Sequence, residues 1–174
     1  MLFKREKAGA EAIDWDEVFR EYFPRVYNFF RYRIGDDALA EDLTSTAFEK
    51  AWRSRGQYRQ DVGAIGTWLF TIARNTANDH FRRNRLEVGL EALEEMPDSF
   101  SVEENFQRAD ETRRLEILLQ QLSPRTRELI ALKYGAEMNN REIAQLTDLS
   151  ESNVGTLLNR AVNVLRSTWE MRHE

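Results

Sequence analysis

Several absences narrow what this 174-residue chain can do. It has no cysteine, which excludes disulfides and thiolate metal sites. Its two histidines, His80 and His173, lie far apart, which argues against a histidine metal centre or a Ser-His triad. No phosphate loop and no activated nucleophile is evident, so no catalytic chemistry and no cofactor are expected. No apolar run approaches the roughly 18 residues that would span a membrane. The first 17 residues, MLFKREKAGAEAIDWDE, hold no apolar core of signal-peptide length, so a cytoplasmic protein without membrane insertion is expected. With 41% hydrophobic and 32% charged residues and only three prolines, the composition is that of a soluble protein.

The net charge of −5 at first argues against nucleic acid as a partner. Its distribution reverses that inference. Residues 1–85 carry a net +2 and residues 112–174 a net +1, whereas residues 86–111 alone carry −8. This pattern fits an acidic linker between two nucleic-acid-facing domains. Its sequence, LEVGLEALEEMPDSFSVEENFQRADE, shows little periodicity and is expected to be extended or only partly helical. A solvated spacer and an acidic strip lying along a basic surface are both compatible with it.

After a mixed-charge lead-in over 1–13 that is expected to be mobile, Trp15, Val18, Phe19, Tyr22, Phe23, Val26, Tyr27 and Phe30 fall at helical spacing. Pro24 should kink or split that helix, and Gly35 should end it. Asp36 or Asp37 can cap a second helix, about 38–55, that buries Leu39, Leu43, Ala47, Phe48, Ala51 and Trp52. A polar loop follows over 57–66. A third helix, from Thr67 to about Asn84, buries Trp68, Leu69, Ile72, Ala73, Thr76, Ala77, His80 and Phe81. Its other face presents Thr71, Arg74, Asn75, Asn78, Asp79, Arg82 and Arg83. Amides and guanidiniums grouped in this way can read base edges and hold phosphates, although an ordinary solvated face would also be polar.

Beyond the linker, a helix over 106–122 should bury Leu115, Leu118, Leu119 and Leu122. Ser123 and Pro124 then open another helix, which buries Leu129, Ile130 and Tyr134 before Gly135 ends it. From Asn139 to Arg166 two helices meet at a tight turn. Asn139 and Glu142 resemble a capping box, Leu149 fills the turn, and Ser150 caps the second helix. Val154, Leu158, Ala161 and Leu165 form one buried stripe, and Trp169 is expected to fold back onto the same core. The opposite face carries Asn153, Gly155, Thr156, Asn159, Arg160 and Asn163. A helix-turn-helix fits this arrangement, as does a plain helical hairpin.

Four segments in order, AEDLTSTAFEKAW, GTWLFTIARNTANDHFRRNR, LSPRTRELIALKYG and NREIAQLTDLSESNV, resemble an extracytoplasmic-function (ECF) sigma factor of bacterial RNA polymerase. The resemblance covers residues 16–166. It implies an all-α protein of two small helical domains joined by an acidic linker, the second ending in a helix-turn-helix. The expected division is a lead-in over 1–13, a region 2-like domain over 14–85, a linker over 86–111 and a region 4-like domain over 112–174. Such a factor binds core RNA polymerase and directs it to promoter DNA, and an anti-sigma factor is a possible further partner. By the resemblance, Glu41 and Asp42 engage the polymerase. Tyr58, Arg59, Gln60 and Asp61 belong to the loop that captures a flipped base of the −10 element. Trp68, Arg74, Asn75, Asn78, Asp79, Arg82 and Arg83 contact the same element, with Trp68 more a core residue than a stacking platform. Arg141, Ser152, Asn153, Gly155, Thr156, Asn159, Arg160 and Asn163 face the −35 element. The linker corresponds to the segment that threads toward the polymerase active centre.

The chain also departs from the family pattern. Relatives commonly place Lys or Arg on the outer face of the recognition helix, where this chain has Gly155, Leu157, Val162, Asn163 and Val164. Asp148 replaces the usual glycine of the turn. Weak upstream-element binding by the second domain is therefore expected, and Leu157, Val162 and Val164 could enlarge its core or form a protein-binding face. Two other readings are a dimeric helix-turn-helix operator-binding regulator and a protein-binding helical module with weak DNA contact. The first leaves the polar 71–83 face and the acidic linker unexplained.

Overall fold

The computed structural model describes residues 13–91 and 111–171, with side chains over 13–86 and 111–171. The lead-in and most of the acidic segment, including the start expected for the helix over 106–122, lie outside the described residues. Everything regular among the described residues is helical.

Helix α1 spans Trp15–Ile34. The Asp14 carboxylate accepts hydrogen bonds from the Asp16 and Glu17 N–H groups, and Gly35, at φ 78°, closes the helix in the left-handed region that favours glycine. Pro24 neither splits the helix nor ends it. It sits on the exposed side, where water can satisfy the carbonyl that loses its donor. Helix α2 runs Asp37–Ser54 from an Asp36 cap and passes into a short 3-10 turn, Arg55–Gln57. Helix α3 spans Ile65–Glu91, so it continues into the stretch expected to begin the linker.

The second half comprises α4 (Glu111–Gln120), α5 (Pro124–Ile130), α6 (Asn140–Thr147) and α7 (Glu151–Met171). The Ser123 hydroxyl caps α5, with the Thr126 N–H donating at 3.3 Å. Gly135 does not simply end that helix. The chain widens into a π-helical segment, Ala131–Gly135, and the Ala136 N–H donates to the Ala131 carbonyl at 2.9 Å. The capping box at α6 is complete: the Glu142 N–H donates to Asn139 Oδ1 and the Asn139 N–H to Glu142 Oε2. Asp148 takes φ 58° at the turn, a conformation an aspartate tolerates better than most residues. The Asn153 N–H donates to Ser150 Oγ, so Ser150 caps α7. Val154, Leu158 and Ala161 are buried below it. Leu157 and Val162 pack onto the core, while Val164 stays exposed.

Several aromatics lie nearer the surface than their spacing predicts. Phe19, Trp52 and Tyr134 are about half exposed. Phe19 packs edge-on to Phe48, and the Arg55 guanidinium covers the Trp52 ring at 3.9 Å. Phe19 also meets Phe23 and Trp52 also meets Trp15, so these two rings pack on local neighbours while about half of each residue stays open to solvent.

The two halves share one continuous core. Val26, Phe29 and Phe30 of α1 belong to the same buried cluster as Leu119, Leu129 and Leu132. The π segment makes the closest approach. A Cβ on Gly135 would stand 2.8 Å from the Asn28 carbonyl oxygen and 2.9 Å from the Phe29 nitrogen, so only glycine lets the two backbones meet there. Three arginines of α1 fasten the seam. Arg25 Nε donates to the Ala136 carbonyl at 2.9 Å, Arg31 Nε pairs with Glu116 at 2.7 Å, and Arg33 pairs with Glu128.

Candidate nucleic-acid interface

Two helices carry the polar faces expected to meet DNA, α3 and α7. At the start of α3, the loop after the 3-10 turn folds back on itself. The Tyr58 hydroxyl donates to the Gly63 carbonyl at 2.9 Å, and Arg59 pairs with Asp61 at 2.6 Å. That arginine holds the pKa of the exposed Asp61 carboxyl below its ordinary value. The Tyr58 ring lies 5.3 Å from the Trp68 ring, and the two form part of the wall of a recess of about 320 Å³ that also includes Arg59, Val62 and Thr67. Desolvation pushes the Tyr58 hydroxyl pKa above its ordinary value. Gln60 is exposed on the far side of the loop, where it lines a separate groove with Ile13 and Glu17. Trp68 is half-buried against Trp15, with ring centroids 6.0 Å apart, so one face is core and another lines the recess.

Down α3 from this recess, Asn75, Asn78, Arg82 and Arg83 are exposed along one side. Asp79 braces the face, since it pairs with Arg82 at 3.1 Å and with Lys50 of α2 at 3.7 Å. Lys50 also donates to Thr76 Oγ1 at 3.2 Å, tying α2 to α3 beneath the polar row.

Arg74 departs from the expected arrangement. Its guanidinium is turned from solvent into the seam between the halves, with Nε 2.9 Å from Glu128 Oε1 and Nη1 3.1 Å from the Leu146 carbonyl. The same carboxylate oxygen lies 3.0 Å from Arg33 Nη1, without the alignment of a hydrogen bond, and Arg33 Nη2 donates to Asn78 Oδ1 at 2.7 Å. Arg33 is 7% exposed and Glu128 is 7% exposed. Burial pulls the Arg33 pKa down, Glu128 opposes that shift, and the like charges of Arg74 and Arg127 add to it. Sequence reasoning did not single out Arg33 or Glu128. Arg33 continues the Val26–Phe30 stripe at helical spacing, and a charge at a core position was the available signal.

Glu41 and Asp42 are both exposed on α2, well separated in sequence and element from the α3 row. On α7, Ser152, Asn153, Thr156, Asn159, Arg160 and Asn163 are exposed, and Arg141 is exposed on α6. Asn163 Nδ2 donates to Asn159 Oδ1 at 2.9 Å, which fixes two amides in a row. Gly155 is half-buried, and a Cβ there would meet only Asn140 Nδ2 at 3.5 Å, an ordinary contact. Packing therefore does not require glycine at this position.

Residues 18–87 match the model of Sigma-70 region 2, and residues 112–165 match that of Sigma-70, region 4. The chain is 34% identical over 172 residues to the ECF RNA polymerase sigma factor BldN of Streptomyces coelicolor; the match takes in 94% of this chain and 63% of BldN. It is 31% identical to the RNA polymerase sigma factor CarQ of Myxococcus xanthus, over 94% of this chain and 92% of CarQ. It is 29% identical to the ECF RNA polymerase sigma factor SigM of Bacillus subtilis, over 88% and 94%. In fold it resembles the sigma factor RpoE solved with the anti-sigma factor NepR from Bartonella quintana, at TM-score 0.75 and 20% identity over 90% of this chain and 97% of that one.

Proposed function

The chain belongs to the ECF sigma factors, initiation factors that bind RNA polymerase and recognise promoters, and from that premise we propose how its residues divide the work. The domain over 14–85 holds the polymerase and opens the −10 element, and the domain over 112–174 touches the −35 element. Glu41 and Asp42, exposed on α2, engage the polymerase. A base extruded from the duplex enters the recess whose wall Tyr58 and Trp68 help to form. Extrusion costs a few kcal/mol of stacking, and stacking on an aromatic ring returns about 1–3 kcal/mol. Asn75 and Asn78 offer amides to base edges, and Arg82 and Arg83 neutralise phosphates. The observation that carries this reading is the continuity of the Tyr58–Trp68 recess with the exposed row on α3.

On α7 the amide and hydroxyl groups from Ser152 to Asn163 add register at the upstream element, with Arg160 and Arg141 as the cationic contacts. The protein acts in the cytoplasm and contributes no catalytic chemistry of its own; no helix among the described residues could cross a membrane. An anti-sigma factor is proposed as a partner, as NepR is for the RpoE of similar fold.

Size-exclusion with core RNA polymerase, followed by run-off transcription from a randomised promoter library, tests the assignment. Wild-type protein should co-elute and select one promoter class. Asp42→Lys should weaken polymerase affinity roughly tenfold or more, because a like-for-opposite charge swap at an interface costs several kcal/mol, with helicity unchanged. Unaltered affinity would remove Asp42 from the interface.

A further inference from the structure

Arg33, Arg74 and Glu128 form a cluster that the assignment above does not use. Two guanidiniums from the first half converge on one carboxylate oxygen of the second, at 3.0 and 2.9 Å. The cluster is electrostatically lopsided, with two positive charges on one negative charge and Arg33 Nη1 lacking an aligned acceptor. It is also continuous with the polar row of α3, since Arg33 Nη2 holds Asn78 Oδ1 at 2.7 Å and Arg74 lies on α3 itself. A phosphodiester, with one charge and two free oxygens, offers the same kind of charge-assisted contact that the Glu128 carboxylate makes here.

We propose that Arg33 and Arg74 form a seat for a backbone phosphate of promoter DNA, and that Glu128 fills this seat while the two domains are closed. Closure and full DNA contact then exclude each other, because both need the same two guanidiniums. The proposal rests on α3 being the DNA face. Gly135 adds the mechanical half of the device: its backbone seats directly against Asn28 and Phe29, so the carboxylate is delivered by a fitted surface rather than by a loose encounter.

The test uses the full chain. With no native cysteine, a donor and an acceptor dye can be placed by Glu17→Cys and Ser167→Cys, both at exposed positions. Energy transfer then reports closure, and fluorescence anisotropy with a forked DNA duplex reports binding over a range of salt. Glu128→Gln removes the internal anion; it should lower energy transfer and raise DNA affinity roughly five- to tenfold, within the usual range of coupling between two states. Gly135→Ala is an uncharged wedge that opens the same seam and should move both readouts in the same direction, which covers the case in which Glu128→Gln folds poorly. Adding Arg33→Gln to the open background should then weaken DNA binding and flatten the salt dependence by about 0.7–0.9 in log–log slope, the loss of one phosphate contact. A purely structural arginine would leave that slope unchanged.

Energy transfer that falls without a gain in affinity would overturn the proposal, as would energy transfer unmoved by both openers or a salt slope unmoved by Arg33→Gln. Failure of the wild-type chain to direct transcription with core polymerase would instead remove the DNA-face assignment itself, a separate result from a separate assay.

Discussion

The helices α3 and α7 both present polar rows, but of different chemistry. On α3 the exposed side joins amides at Asn75 and Asn78 to guanidiniums at Arg82 and Arg83, next to a recess with aromatic walls. On α7 the comparable side is amide and hydroxyl, with Arg160 as the cation among the expected contacts and an exposed Val164 further along. Phosphate neutralisation supplies most of the salt-dependent affinity of a DNA-binding protein, whereas neutral amides supply mainly discrimination. On the proposed assignment of these faces to DNA, binding strength belongs to the first domain and alignment to the second. The clearest fold motif in a chain need not be the strongest DNA contact.

The sharpest way to break this comparison is to strip α3 of its cations. Replacing Arg82 and Arg83 together by alanine should lower promoter affinity of the polymerase complex at least about tenfold and reduce its salt slope by about 2. If filter binding across a salt series shows the slope unaltered, the strength lies elsewhere. A smaller effect should come from adding what α7 lacks. Val164→Arg, at an exposed position on its outer side, should raise affinity of the complex roughly threefold and steepen the slope by about 1. No gain would mean that α7 does not approach the backbone there. The smallest effect concerns Gly155. Alanine should stabilise α7 by about 1 kcal/mol, a rise of about 2–4 °C in melting temperature, since the new Cβ meets only Asn140 Nδ2. A higher melting temperature with unchanged DNA affinity would show that the glycine has no role in contact. A fall in affinity would show that the DNA backbone needs the space.

Local signals in the sequence located the local structure well. Asp36, Ser123, Asn139 and Ser150 act as caps because each places a side-chain oxygen next to N–H groups with no helical partner, a rule that needs only neighbours in sequence. The stripe Val154–Leu158–Ala161 is buried as its spacing requires. What spacing could not supply was the identity of the opposing surface. Trp52 and Tyr134 continue apolar stripes, yet nothing packs fully over them, and their exposure follows from tertiary arrangement rather than periodicity. Pro24 lies on the exposed side of α1, and the helix runs through it unbroken, which spacing in sequence could not reveal. The course of α3 to Glu91 was hidden because an acidic composition resembles a linker whether or not the backbone is helical. The Arg33–Glu128 pair joins positions 95 apart, so its partners could be paired only once the two halves were seen in contact.

The tryptophans carry a practical consequence. Of the four in the chain, Trp15 has ring neighbours in both Trp52 and Trp68, at 6.4 and 6.0 Å, and Trp68 also lines the recess proposed for the extruded base. Indoles this close share excitation, so light absorbed by any of the three can be emitted or quenched through the one beside the recess. Trp169, on α7, lies in the other half of the molecule. Intrinsic fluorescence at this cluster is therefore an optical gauge already present in the protein: a base stacking against Trp68 would dim all three indoles together, and promoter opening could be followed in real time without a dye.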